Sequence, residues 1–431
     1  MPSKQTLYQQ DLFDWLKEHR EIVKTDGSQR FHAILSDPPY FLGSINKRFS
    51  KNNSAPAQYG KDGSFNRLSK GFMGKTWDGF ESPQHFQAWV TEWGSMLLDV
   101  VYPGAMGMFF GGTRTYHRLA SGLEDAGWEI VDCMMYLFGS GFPKAHDLGK
   151  GYKTRLKPAY EPVVIARAPR TGTYRDQLSE YGTGGFNIDG CRIETDDILI
   201  AGGNLVKSVA DSRKNAALGM FQPGTSNTYK QNENGRYPSH LILDEEAAEQ
   251  LDEQSGELKA GGNLTGDEPS SVMSGGVSRF FYTTKSPRWE REAGLENFNL
   301  DTIDDGRKKS IDNAYQRGET ERRNTHPTVK PVKLNEYLAR LILPPQSMSP
   351  RRILVPFAGS GSEMIGCHFA GWDEIVGIER EEEYCQINEA RRKWWSGFSS
   401  YAEAEKVYKQ ESKETKSEIK SSDKPQQLSM F

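Results

Sequence analysis

Apolar residues recur at helical spacing over residues 12–22, with Leu12, Phe13 and Leu16 on one face. A short apolar run from Phe31 to Leu35 then predicts a buried strand. Asp37, Pro38, Pro39 and Tyr40 end it, because proline cannot continue a central ladder. Residues 43–79 are rich in Gly, Ser, Asn and Lys, hold no period, and read as one long loop. Beyond them the pattern predicts a helix over 84–101, a strand over 105–110, a helix over 113–126 and a strand over 129–137. Strand alternating with helix in this way is the mark of a parallel α/β sheet.

One more strand is predicted at 161–166, after which the pattern dissolves until about residue 325. Only a strand at 241–243 and an acidic helix at 244–254 stand out there, so this stretch reads as inserted and separate from the sheet. After His326 the alternation resumes: helix 334–343, strand 352–356, helix 363–370, strand 374–378 and helix 381–395. Residues 401–424 alternate Lys and Glu as a solvated helix or disordered linker, and 426–431 turn apolar again.

Composition narrows the class. A chain of 431 residues has room for two or three domains. No apolar run approaches the roughly 18–20 residues of a membrane span, and no apolar segment follows the first lysine as in a secretory signal. Four cysteines without Cys-x-x-Cys spacing argue against a zinc ribbon or a disulfide framework, so a cytoplasmic setting is expected. The eight histidines are dispersed, and no metal site is expected. The net charge of −4 is an average over unlike parts: residues 241–275 hold nine acidic side chains against one lysine. The remainder is mildly basic, which leaves nucleic acid open as a partner.

Two segments carry chemistry. In the first, the predicted strand 352–356 runs into Phe357, Gly359 and Gly361, and Glu379 stands at the end of the next strand. A Gly-x-Gly turn lets backbone N–H groups approach a ligand closely, and an acid at that strand end can accept from both ribose hydroxyls. A nucleoside-containing cofactor is implied, with tight packing as the other use of such a turn. Met364 stands where the dinucleotide fingerprint needs its third glycine, which disfavours a nicotinamide cofactor and leans toward S-adenosylmethionine. In the second segment, two prolines hold a rigid extended turn after Asp37. Asp37 and the Pro38 carbonyl can accept the two hydrogens of an exocyclic amine, and Tyr40 offers a face for a base. The other reading is an ordinary Asp-capped turn.

Taken together these segments resemble the amino-methylating DNA methyltransferases of the permuted kind, in which the Asp-Pro-Pro-Tyr motif precedes the Phe-x-Gly-x-Gly motif. The phage and prokaryotic adenine-specific type also shares stretches like Gly111 to His117, Gly139 to Lys144, Lys157 to Pro162 and His326 to Pro331. The resemblance spans almost all of residues 1–397. It implies a Rossmann-like S-adenosylmethionine-dependent fold: a mostly parallel seven-stranded sheet with one reversed strand, interrupted by a target-recognition insertion. The expected division is 1–167 and 326–400 for the catalytic domain, 168–325 for recognition, and 401–431 for a charged tail. The resemblance implies transfer of a methyl group to N6 of a flipped adenine in double-stranded DNA. It assigns Asp37, Pro38, Pro39 and Tyr40 to catalysis, and Asp11, Thr328, Lys330, Pro331, Phe357, Gly359, Gly361 and Glu379 to the cofactor. Members with Ser in place of Asp37 mostly methylate cytosine N4, which stands as the alternative. One position departs from the family: Val355 replaces the usual acid that helps hold the cofactor ammonium. That loss would weaken cofactor binding, shift the task to a neighbour such as Asp37, or mark the third reading, an impaired, methyltransferase-like DNA-binding protein. Lys47, Arg48, Arg213, Arg236 and Arg322 are candidate DNA contacts. Gln427, Leu428, Met430 and Phe431 resemble a bacterial sliding-clamp peptide on a charged tether.

Overall fold

The computed structural model describes residues 3–41, 80–141, 145–195, 235–259, 274–284, 287–303, 320–326 and 328–422. Its centre is a nine-stranded sheet. In chain order the strands are β1 (Lys4–Gln9), β2 (Phe31–Ser36), β3 (Val101–Phe110), β4 (Glu129–Leu137), β5 (Tyr160–Arg167), β6 (Leu241–Asp244), β7 (Tyr282–Thr284), β8 (Arg352–Pro356) and β9 (Glu374–Glu379). Across the sheet they run β1-β9-β8-β2-β3-β5-β4-β6-β7. Only β5 is reversed, antiparallel to both β3 and β4. The helices are α1 (Leu12–Thr25), α2 (Pro83–Leu98), α3 (Tyr116–Asp125), α4 (Tyr174–Tyr181), α5 (Glu245–Ser255), α6 (Val332–Leu341), α7 (Ser362–Ala370), α8 (Glu382–Trp395) and α9 (Tyr401–Ser422), with a single helical turn at Trp289–Glu292.

Alternation along the central strands sorts the core into two layers. Ile34 and Leu354 face one cluster with Leu16, Trp93 and Leu123, from α1, α2 and α3. Leu35, Ile353 and Val355 face the other, with Leu338, Met364 and Trp372 from the α6–α7 side. Helix starts follow local chemistry: Asp11 caps α1 through the Phe13 N–H, and Ser82 caps α2 with Pro83 in its first turn.

Four features depart from the sequence reading. The sheet has nine strands rather than seven, because β1 and β7 carry too little apolar signal. β1 is a half-exposed edge strand and β7 has three residues. The strand expected at 105–110 begins at Val101, since Pro103 and Gly104 are absorbed at an irregularity in the β2–β3 register instead of ending it. The stretch after Arg167 is not separate from the sheet: β6 pairs in parallel with β4, and β7 with β6. Tyr282 of β7 stacks on Tyr337 of α6, ring centroids 3.8 Å apart, so burial of these few aromatics draws the strand in. Finally, the start of the charged tail is packed. Tyr401 and Ala404 are buried against Trp395 and Val332, and the Tyr401 hydroxyl donates to Glu290.

His32 provides a test of this packing. It is buried on β2, and its Nδ1 accepts from the Arg352 N–H of β8 at 3.0 Å. Burial, with a smaller contribution from the neighbouring Arg352 charge, pushes its pKa down to about 4. Between pH 6.5 and 4 the unfolded chain therefore binds a proton that the folded chain refuses, and stability falls as the pH drops through that window. Melting curves of His32→Gln are expected to show a shallower loss of stability from pH 6.5 to 4 than the parent. An equal slope would contradict the buried, neutral assignment.

Candidate active site

Adjacent strands β1, β9, β8 and β2 are mutually parallel, so their C-terminal ends emerge at one edge of the sheet. Ligands of open α/β sheets bind at that edge. Here the residues just beyond the four strands line a single cavity of about 310 Å³. Asp11, Leu12 and Phe13 follow β1, Glu381 and Tyr384 follow β9, Phe357, Gly359 and Glu363 follow β8, and Asp37 to Tyr40 follow β2. Phe80 and Trp89 close one side, while His326, Thr328 and Lys330 close another.

The two motif turns are tied together and held in unusual backbone. Ser36 Oγ at the end of β2 donates to the Pro356 carbonyl at the end of β8, 2.8 Å away. Phe41 and Phe357, the residues just after the strand-end turns, both adopt positive φ, 51° and 58°. Non-glycine residues rarely do so, and surrounding contacts must hold them there. Phe41 packs on Phe80 and Phe86, and Phe357 on Trp89 and Trp93. Gly359 has φ 47°, and a Cβ there would stand 2.7 Å from His326 Nε2. Any side chain at this position would both strain the turn and intrude on the cavity wall.

At one end of the cavity Asp37 is fixed by two donors. Tyr40 Oη donates to Oδ1 at 2.6 Å, and Lys330 Nζ donates to Oδ2 at 2.7 Å. Each carboxylate oxygen thus keeps acceptor capacity for a further donor. Lys330 Nζ is also 3.6 Å from Glu161 and 5.2 Å from the Tyr40 ring centroid. Burial alone would favour a neutral amine, but the Asp37 and Glu161 charges outweigh it and raise the Lys330 pKa above the usual lysine value. Burial, then the Asp37 and Glu161 charges, likewise keep the Tyr40 phenol protonated. His326 is neutral at pH 7: burial lowers its pKa to about 4, against an opposing pull from Asp37. Its Nδ1 donates to the Thr328 carbonyl at 2.7 Å, which leaves Nε2 as the unprotonated nitrogen.

At the other end Glu379 presents a carboxylate on backbone hooks. Its oxygens accept from the Gly359 N–H and the Glu381 N–H, both at 2.8 Å. Burial raises its pKa, while these N–H bonds pull the other way. Asp11 caps α1 with one oxygen, and its other oxygen lies 3.9 Å from Arg380.

Ten of the twelve residues assigned in the sequence to catalysis or the cofactor meet at this cavity: Asp37, Pro38, Pro39 and Tyr40, then Asp11, Thr328, Lys330, Phe357, Gly359 and Glu379. Two do not line it. Gly361, with φ 85°, packs so closely on α8 that a Cβ would stand 2.8 Å from Asn388. Pro331 is the N-cap of α6. Lys330, expected at the cofactor, lies against Asp37 and so belongs to the Asp37 turn as much as to the wall formed with His326 and Thr328. Arg236 bridges to Ile193 and lies over the Phe280 ring, and Arg322 ends a short hairpin strand; neither lines the cavity. Lys47, Arg48, Arg213, Gln427, Leu428, Met430 and Phe431 lie outside the described residues. Val355 is fully buried in the apolar layer with Ala358 and Met364. Sequence reasoning missed His326, Trp89, Tyr384 and Glu363. Glu363 had a readable signal, an acid in the first turn of the helix that the Gly-x-Gly turn opens.

A sequence model for a family described as DNA methylase matches residues 31–390. The chain belongs to this N6/N4 family of DNA methylases. Among curated proteins, none matches it in sequence. Of solved structures, M1.HpyAVI bound to SAM is similar at 15% identity and a TM-score of 0.38, over 90% of this chain and 99% of that one. The PvuII DNA methyltransferase, described as cytosine-N4-specific, shows 11% identity and a TM-score of 0.41, over 91% of this chain and 87% of that one. Membership rests on the family match alone. For a DNA methylase of this family the methyl donor is S-adenosyl-L-methionine, and the cavity suits it. It combines a carboxylate at the strand end for a ribose diol, aromatic and aliphatic walls from Phe357, Ile378 and Tyr384, and a glycine cradle that a Cβ would fill.

Proposed function

We propose that this methylase acts on N6 of an adenine in double-stranded DNA, turned out of the helix into the Asp37 end of the cavity. The observation that carries the reading is Asp37, held between Tyr40 and Lys330 with acceptor capacity to spare. An exocyclic amine is a poor nucleophile because its lone pair is delocalised into the ring. Asp37 and the Pro38 carbonyl accept its two hydrogens, which localises the pair on nitrogen. Lys330 bonds one Asp37 oxygen and fixes the carboxylate's aim, so the aspartate orients the amine by accepting from it. Tyr40 supplies an aromatic face beside the base. Bound S-adenosyl-L-methionine supplies an electrophilic methyl group. Glu379 would hold its ribose, and Phe357, Gly359 and Thr328 its remaining length. The amine nitrogen, once methylated, is strongly acidic and sheds its extra proton to water. Residues 168–325 would read the target sequence, with Arg236 and Arg322 as contacts.

The test is incorporation of labelled methyl from the cofactor into unmethylated DNA of mixed sequence, followed by nucleoside analysis. Label in N6-methyladenine is the expected result. Label in N4-methylcytosine would replace the substrate base, and cofactor binding without any label on DNA bearing a proven target site would overturn the enzymic reading.

A further inference from the structure

Glu363 is an acid of the cavity to which the proposed reaction gives no role. It stands in the first turn of α7, is 5% exposed, and lines the cavity. Among the described residues its carboxylate takes no side-chain partner; its own backbone N–H donates to it. The two nearest cations are committed elsewhere. Lys330 is bonded to Asp37 and flanked by Glu161. Arg391, fully buried beneath the turn, donates to Ser360, Ser362 and the Glu290 carbonyl. Burial and the nearby Asp37 charge both disfavour ionisation of Glu363 and raise its pKa.

A buried carboxylate with no cation of its own is expensive to maintain, and it is stable in its charged form only when a partner arrives. Among groups that enter this cavity, the partner must be cationic and must reach the Asp37 end, away from Glu379. We propose that Glu363 is the counter-ion of the α-ammonium group of the cofactor's methionine half. It is thereby a specificity residue for ligands that carry the amino-acid moiety. The inference rests on the cofactor reading above. It makes the cavity bipolar, with Glu379 gripping the nucleoside end and Glu363 the ammonium end. Unloaded, Glu363 can take up a proton; loaded, it pairs, so ligand binding would drive the proton off.

Calorimetric titration of three ligands tests this without any turnover. S-adenosylmethionine and S-adenosylhomocysteine both carry the ammonium, whereas methylthioadenosine keeps the nucleoside and lacks the amino acid. Glu363→Gln, nearly equal in volume, is expected to weaken the first two by roughly 10- to 100-fold, the loss of a charge-assisted bond. It should leave methylthioadenosine within about 2-fold. Glu363→Asp should recover part of the lost affinity. Equal weakening of all three ligands would reduce Glu363 to a structural role, and unchanged affinity for all three would also overturn the proposal. If the parent protein bound none of them, the cofactor reading itself would fall, and this inference with it.

Discussion

Asp37→Asn is expected to cut methyl transfer by about 1,000-fold or more while cofactor affinity stays within about 3-fold. The amide fills the same space, so Tyr40 and the neighbouring turn keep their places. It loses one of two acceptor oxygens, and its NH2 would point a donor at either Lys330 or the incoming amine. The nucleophile then meets a donor where it needs an acceptor, and its lone pair stays in the ring. About 4 kcal/mol of barrier corresponds to that rate loss, of the size assigned to preorganised electrostatic contacts in other active sites. Single-turnover methylation beside cofactor calorimetry separates the two effects. Near-parent turnover would sink the proposed mechanism, and loss of cofactor binding in parallel would recast Asp37 as a cofactor ligand.

Lys330→Met is expected to damage both folding and chemistry. Lys330 and Asp37 side chains are only 6% and 11% exposed, and Glu161 adds a second carboxylate at 3.6 Å. Removing the cation leaves like charges facing each other in a dry site, a defect that costs about 3 kcal/mol in buried pairs elsewhere. Without the Lys330 donor, Asp37 is held by Tyr40 alone and loses its aim at the amine, so methyl transfer should fall by at least about 100-fold. Methylation rates, with melting curves on the same samples, read both effects; an unchanged rate with an unchanged melting point would refute the role given to Lys330.

Both motif turns that line the cavity were legible from residues alone because each is local chemistry. Two prolines after an acid, and two glycines after an apolar strand, announce their backbone whatever surrounds them. Lys330 on Asp37 was not legible as a contact, because 293 residues separate the partners and nothing local in either segment names the other. β1 was missed for the opposite reason to a buried strand: as a sheet edge, it has one flank to satisfy and can afford polar residues. β6 could be read from Leu241 to Leu243, but its place in the main sheet could not, since register is a tertiary property. The start of the tail misled through its charge alternation, where Tyr401, Ala404 and Tyr408 are the positions that pack. Glu363 was readable as an acid at a helix start. That the two nearby cations, Lys330 and Arg391, are bonded to other groups appears only in the folded chain.

The order of the sheet has a consequence for how the protein comes into being. β1 pairs along its whole length with β9, Lys4 opposite Glu374 and Gln9 opposite Glu379. One wall of the cavity is therefore synthesised long before the wall beside it. Contacts of such long sequence separation must wait for closure of a very large loop. During synthesis the nascent chain carries the Asp37 turn but has no glycine cradle and no Glu379 to complete a cavity. Cofactor can be captured only once β9 has joined β1, and on arrival it fastens together two segments far apart in the sequence.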